Sequence, residues 1–169
     1  MTAKPDAIAL LKADHRKVET LFEKFEKAKD AAAKTALAQQ ICTELSVHTA
    51  IEEEIFYPAC TGKIEEDLVK EAYVEHDGAK VMIAEILASS PADDFYDAKV
   101  KVLSEEIKHH VKEEEKRAEG MFAQAKAAGV DTEALGTQMA AEKKALVAKY
   151  KATGLPKPPT PTFTGTRLA

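Results

Sequence analysis

The sequence has no tryptophan, two cysteines, and only seven glycines and seven prolines in 169 residues. Cys42 and Cys60 form no CxxC and lie too far apart for a single-loop zinc site, which removes thiolate metal chemistry. Each is expected to be a small buried apolar residue, with a redox-sensing pair as the alternative. No apolar run approaches the length that spans a bilayer, and charges interrupt the short apolar stretch of MTAKPDAIALLKADH, so neither a membrane segment nor a signal peptide is expected. An excess of basic residues is also missing. The net charge of −5 argues against a surface for nucleic-acid phosphates. A cytoplasmic protein follows from these absences, a monomer or weak homodimer with no nucleic-acid or membrane partner.

Alanine, lysine, glutamate and leucine dominate what is present, a helix-favouring composition. Apolar residues recur at helical spacing through five segments. The first runs from about Pro5, as first helical residue, to Lys29, and the second from Ala31 to Cys60. The third covers Glu65 to Ser89 and the fourth Asp93 to Ala128 without interruption. A shorter fifth is capped by Asp131 or Thr132 and ends near Lys151. Short connections make consecutive helices antiparallel neighbours. The expected fold is all-α: an up-and-down four-helix bundle with an additional C-terminal helix over residues 1–153, and an extended or disordered Pro-rich tail over 154–169.

Four of the five histidines lie on the apolar stripes. His15 continues Ile8–Leu11 towards Val18, and His48 continues Ile41–Leu45. His76 falls between Tyr73 and Ile83, and His110 follows Leu103–Ile107. Glu52 and Glu114 each follow a histidine by one helical turn on the same face. The chain thus carries the form H…HxxxE twice, with His15 and His48 33 residues apart and His76 and His110 34 apart. Burying four imidazoles and two carboxylates in one layer is costly without a cation. Metal ions remove that cost, and six ligands in a two-fold pattern suit two of them. Mixed nitrogen and oxygen donors without thiolate favour iron, with manganese as the alternative. Two such ions with an oxo, hydroxo or water bridge would leave room for a small diatomic or peroxide ligand.

Other metal patterns are absent. A ferritin-like site needs two Glu-x-x-His motifs on separate helices; only Glu106–His109 occurs, off the stripe, and there is no HExxH. His109 lies among charged residues and is expected at the surface or just outside the site. Tyr57 would point away on an undistorted helix, its hydroxyl in water at the bundle end. A kink at Pro58 could instead aim the phenol at the metals. Glu53 and Glu54 read as a solvated acidic run.

KADHRKVETLF, ELSVHTAIEEEIFYPA, YVEHDGAKV and EIKHHVKEEEKR together resemble the hemerythrin-like HHE cation-binding family over about residues 6–125. The resemblance implies a bundle around a non-heme di-iron centre that binds oxygen, nitric oxide or peroxide. The implied ligands are His15, His48, Glu52, His76, His110 and Glu114. Oxygen carriers of the family place a second histidine where this chain has Lys80, and an aspartate where it has Glu115. One iron therefore has one imidazole fewer, and Lys80 either lends a donor near the centre or reaches out to solvent. The expected activity is binding or sensing of a small oxidant. The alternatives are peroxide disproportionation or nitric oxide reduction, and an iron-storage or structural metal-binding bundle.

Overall fold

A computed structural model describes residues 5–165; residues 166–169 of the expected tail, and residues 1–4, lie outside the described residues. The helices are α1 (Ala7–Lys27), α2 (Ala31–Ile51), α3 (Tyr57–Cys60), α4 (Glu66–Leu87), α5 (Tyr96–Glu115), α6 (Met121–Ala127) and α7 (Thr132–Thr153), with a π-helical turn at Glu52–Phe56 joining α2 to α3. Three begin at an aspartate whose carboxylate accepts from an orphan amide of the first turn: Asp6 from Ala9, Asp30 from Ala33 and Asp131 from Ala134. Pro5 is therefore outside α1 rather than its first residue. No strand occurs among the described residues.

α1, α2, α4 and α5 form the up-and-down bundle in that cyclic order, and α7 lies across α1 and α2. The tail leaves α7 at Gly154 and runs back along the bundle without regular structure, with Leu155 packed on the apolar core.

Two expected helices are not continuous. In the second, Pro58 has no N–H to give to residue 54, and its ring would crowd that carbonyl in an α-helix. The backbone widens just before it, and the Tyr57 amide bonds back to the Glu52 carbonyl, five residues earlier. The fourth helix stops at Glu115 instead of running to Ala128. No apolar residue larger than Ala118 lies between Val111 and Met121 to hold this stretch to the core. Ala118 takes φ 70°, and the chain turns before α6 starts after Gly120.

The core is split. One apolar cluster includes Leu11, Ile51, Phe56, Phe122 and Met139; the other includes Val18, Phe22, Leu45, Ile83 and Leu103. Between them lies a polar layer containing His15, His48, His76 and His110, all at most 5% exposed. Cys42 and Cys60 are both buried thiols, one in each cluster, so they do not form a pair.

α7 comes close to the start of α1 at Gly136. A Cβ there would lie 2.1 Å from the Pro5 carbonyl oxygen and 2.7 Å from the Ala7 nitrogen, both backbone atoms. Thr132 adds a 2.5 Å hydrogen bond to Asp6, and Lys143 pairs with Asp14. Gly136→Ala is expected to destabilise the fold by about 1–3 kcal/mol, the usual cost of overpacking. Chemical denaturation followed by circular dichroism would check this, and an unchanged midpoint would refute the close approach.

Candidate metal centre

Each inward histidine comes from a different bundle helix, held in place by apolar residues a turn away on the same stripe. Leu11 and Val18 flank His15, Leu45 and Ile51 flank His48, Ala72 and Ala79 flank His76, and Ile107 lies before His110. The rings meet in pairs. The Nε2 atoms of His15 and His48 are 3.1 Å apart, and so are those of His76 and His110. That is close to the ~3 Å separating two nitrogens each about 2.1 Å from one ion at a right angle.

The two glutamates lie between the pairs. Glu52 Oε2 is 3.1 Å from His48 Nε2 and 3.3 Å from His76 Nε2. Glu114 sends Oε2 to within 3.3 Å of His15 Nε2 and Oε1 to 3.6 Å from His110 Nε2. Both side chains are at most 1% exposed, and Glu52 Oε1 and Glu114 Oε2 have no hydrogen-bond partner. Buried carboxylates set against imidazole nitrogens and each left with an orphaned oxygen are what a cation site requires. His15, His48, Glu52 and Glu114 make one group able to hold an ion, and Glu52, His76 and His110 make another. Glu52 belongs to both.

Tyr57 is also in the layer. It is fully buried, and its hydroxyl lies 2.9 Å from Glu114 Oε1, 3.3 Å from Glu52 Oε2 and 3.1 Å from His76 Nε2. The π-turn puts it there. On an α-helix a residue five positions after Glu52 lies roughly 140° round the axis, whereas an i→i+5 turn brings it nearly back to the same face. The expectation of a phenol in water at the bundle end is thereby corrected.

The outer nitrogens carry the clearest pattern that sequence reasoning missed. His15 Nδ1 meets Glu115 at 2.7 Å, His76 Nδ1 meets Glu53 at 3.0 Å, and His110 Nδ1 meets Glu75 at 2.7 Å. His48 Nδ1 faces Asp14 at 3.6 Å, beyond hydrogen-bond reach. Each carboxylate sits on the helix preceding or following that of its histidine around the bundle, so the four contacts close a ring. A carboxylate on Nδ1 fixes the proton there and leaves Nε2 as the inward lone pair. Glu53 is therefore not part of a solvated run, although Glu54 is exposed.

Lys80 does not reach solvent. It is 6% exposed, with Nζ 2.7 Å from Glu53 and 3.0 Å from Asp77. It supports Glu53, which supports His76. His109 is 66% exposed, with Nε2 3.4 Å from Glu75, outside the layer.

The electrostatics match this wiring. Burial opposes charge on His48, but Glu52 and Asp14 outweigh it and push the imidazole up to about 10. Burial likewise opposes charge on His76, and Glu52 and Glu53 raise it. Burial would raise Glu52, yet His48 and His76 hold it well below the usual carboxylate range. Protons and cations thus compete for the same nitrogens, and loading a divalent cation at neutral pH is expected to release protons. Calorimetric titration in buffers of different ionisation enthalpy would measure the release; identical heats in all buffers would contradict it. Glu75→Gln and Glu115→Gln are expected to weaken cation affinity about 10–100-fold while leaving the fold intact. Chelator competition would detect this, and unchanged affinity would show that the ring does not orient the imidazoles.

Comparison with known proteins identifies the family and the fold. The family model described as hemerythrin HHE cation binding domain matches residues 6–122. A DNA nickase from Nostoc sp. (strain PCC 7120 / SAG 25.82 / UTEX 2576) is 29% identical over 106 residues, 63% of this chain; the chain spans 30% of that protein's length. A crystal structure of a hemerythrin HHE cation binding domain-containing protein from Mycobacterium kansasii superposes with a TM-score of 0.72, covering 89% of this chain and 94% of that one at 22% identity. With buried histidine–glutamate clusters inside a four-helix bundle, and a family model matching most of its length, the chain belongs to the hemerythrin HHE cation-binding family.

Proposed function

We propose that this chain is a non-heme di-iron protein that binds or senses a small oxidant: oxygen, nitric oxide or hydrogen peroxide. The observation that carries the reading is the position of Glu52 and Glu114, each of which reaches both histidine pairs. Carboxylates so placed suit bridges between two ions, one held by His15 and His48, the other by His76 and His110. An all-nitrogen-and-oxygen donor set favours iron over softer metals, with manganese as the competitor.

Bound iron would supply Lewis acidity and one-electron chemistry to a small ligand. The chain's own groups set the conditions. The Nδ1 carboxylates orient the rings of His15, His76 and His110, and the two apolar clusters above and below the layer exclude water. A cavity of about 10 Å³ beside the histidines, walled by Val18, Leu45, Thr49, Ile107 and Val111, is about the size of one water. A space this small leaves no room for a bulky ligand without movement of its walls.

Tyr57 fits the place of the donor that Lys80 leaves unfilled. Its oxygen stands 3.1 Å from His76 Nε2, the same spacing as within each histidine pair. Burial, Glu114 and Glu52 push the phenol well above its ordinary range, and a bound cation reverses that bias. We assign Tyr57 as an additional ligand on the His76–His110 side.

Two tests follow. The iron-loaded protein is expected to show a visible tyrosinate-to-iron band that disappears in Tyr57→Phe; a spectrum unchanged by the substitution would refute ligation. Its absorption is also expected to change on adding nitric oxide or peroxide. Iron that stays spectrally unchanged with either would favour the storage or structural reading, and sustained peroxide consumption would favour the enzymatic one.

A further inference from the structure

The tail crosses the bundle beside the candidate metal centre and forms one wall of a cavity of about 130 Å³ that is partly open to solvent. Pro156, Pro158 and Pro159 form its outer wall, and Ser46, Thr49, Glu53, Glu54, Lys80 and Tyr150 are among the residues opposite. Thr49 is 4% exposed and also walls the small cavity beside the histidines. Thr49 thus lines both the space under the tail and the space at the candidate ligand position.

A clasp holds the tail in place. The Thr162 backbone N–H and hydroxyl both donate to Asp77 Oδ2, at 2.7 and 2.6 Å. Asp77, 1% exposed beneath the tail, accepts from Lys80 through its other oxygen at 3.0 Å. Lys80 in turn pairs with Glu53, whose carboxylate also meets His76 Nδ1. The tail is therefore anchored to the same chain of contacts that orients a candidate ligand.

The charge of the cavity is one-sided. Among the described lining residues, Glu53 and Glu54 face it against one cation, Lys80, already engaged by Glu53 and Asp77. An approaching anion meets net negative charge, whereas a neutral molecule meets no such barrier.

We infer that the cavity under the C-terminal strap is the access route to the metal centre, with Thr49 at its inner wall, and that its acidic lining admits small neutral oxidants in preference to anions. The inference rests on the proposed small-oxidant function and specifies the ligand class. Opening of the Thr162–Asp77 clasp then governs how fast any ligand passes.

Stopped-flow binding of azide, an anion, and nitric oxide, a neutral molecule, to the iron-loaded full-length chain tests this. Thr162→Pro removes both donors of the clasp from an exposed tail position and leaves the bundle sequence intact. It is expected to raise azide association and dissociation rates together by roughly tenfold or more, the change in open population when hydrogen bonds to a charged group are lost. Iron extraction by a chelator should quicken as well. Glu54→Gln should speed azide several-fold and leave nitric oxide unchanged, with the azide effect fading at high salt. Azide and chelator rates that match the unsubstituted chain in Thr162→Pro would overturn the route. Equal effects of Glu54→Gln on both ligands would overturn the charge selection. If neither probe perturbs the iron spectrum of the unsubstituted protein, the small-oxidant function itself fails and the access route falls with it.

Discussion

Four imidazoles and two carboxylates are buried in one layer between two apolar clusters of the bundle. That layer divides the hydrophobic core in two. An apolar layer of similar volume would serve stability at least as well, because desolvating charged groups often exceeds what their mutual attraction returns. The layer therefore answers a demand of chemistry. Its charge must be compensated from inside, by protons on the histidines or by cations between them, and the carboxylates at the Nδ1 atoms decide which nitrogens are available.

Both interruptions of the bundle helices occur at this layer. The π-turn at Glu52–Phe56 follows His48 immediately and swings Tyr57 inward between Glu52, His76 and Glu114. The end of α5 follows Glu114 by one residue. The turn beyond it lets Phe122 of α6 stack on His15 at 5.9 Å while packing edge-on to Phe56. Straight helices would supply the histidines but neither the phenol nor this aromatic floor. Departures from regular geometry are concentrated where function needs them.

Much of this was legible in the chain itself. The 3.6-residue stripes expose the bundle, and the doubled H…HxxxE pattern selects the six side chains that the fold brings into one layer. The interruptions were harder to read, because periodicity continues across both of them. Pro58 signalled a disturbance without saying whether the helix would kink, stop or widen, and only the widened turn brings Tyr57 inward. The stretch EEEKRAEG carried no glycine or proline inside the helix to announce its end before Gly120, yet it also lacked any large apolar residue to dock. The outer ring did leave a trace. Each of the pairs Asp14–His15, Glu52–Glu53, Glu75–His76 and Glu114–Glu115 sets an acid beside an inward residue. Adjacent positions lie about 100° apart on a helix, so that acid falls at the seam with the next helix. Which histidine it serves depends on the order of helices around the bundle, and the stripes alone do not give that order.

Everything proposed for the centre depends on Glu52 and Glu114 each serving two ions. The most direct measurement is the iron content per chain of protein loaded with ferrous iron and freed of excess metal, determined for the unsubstituted chain and for Glu52→Gln. The account predicts two irons per chain, with a clear loss when Glu52 is changed. A plateau at one iron per chain, or two irons indifferent to Glu52, would contradict it.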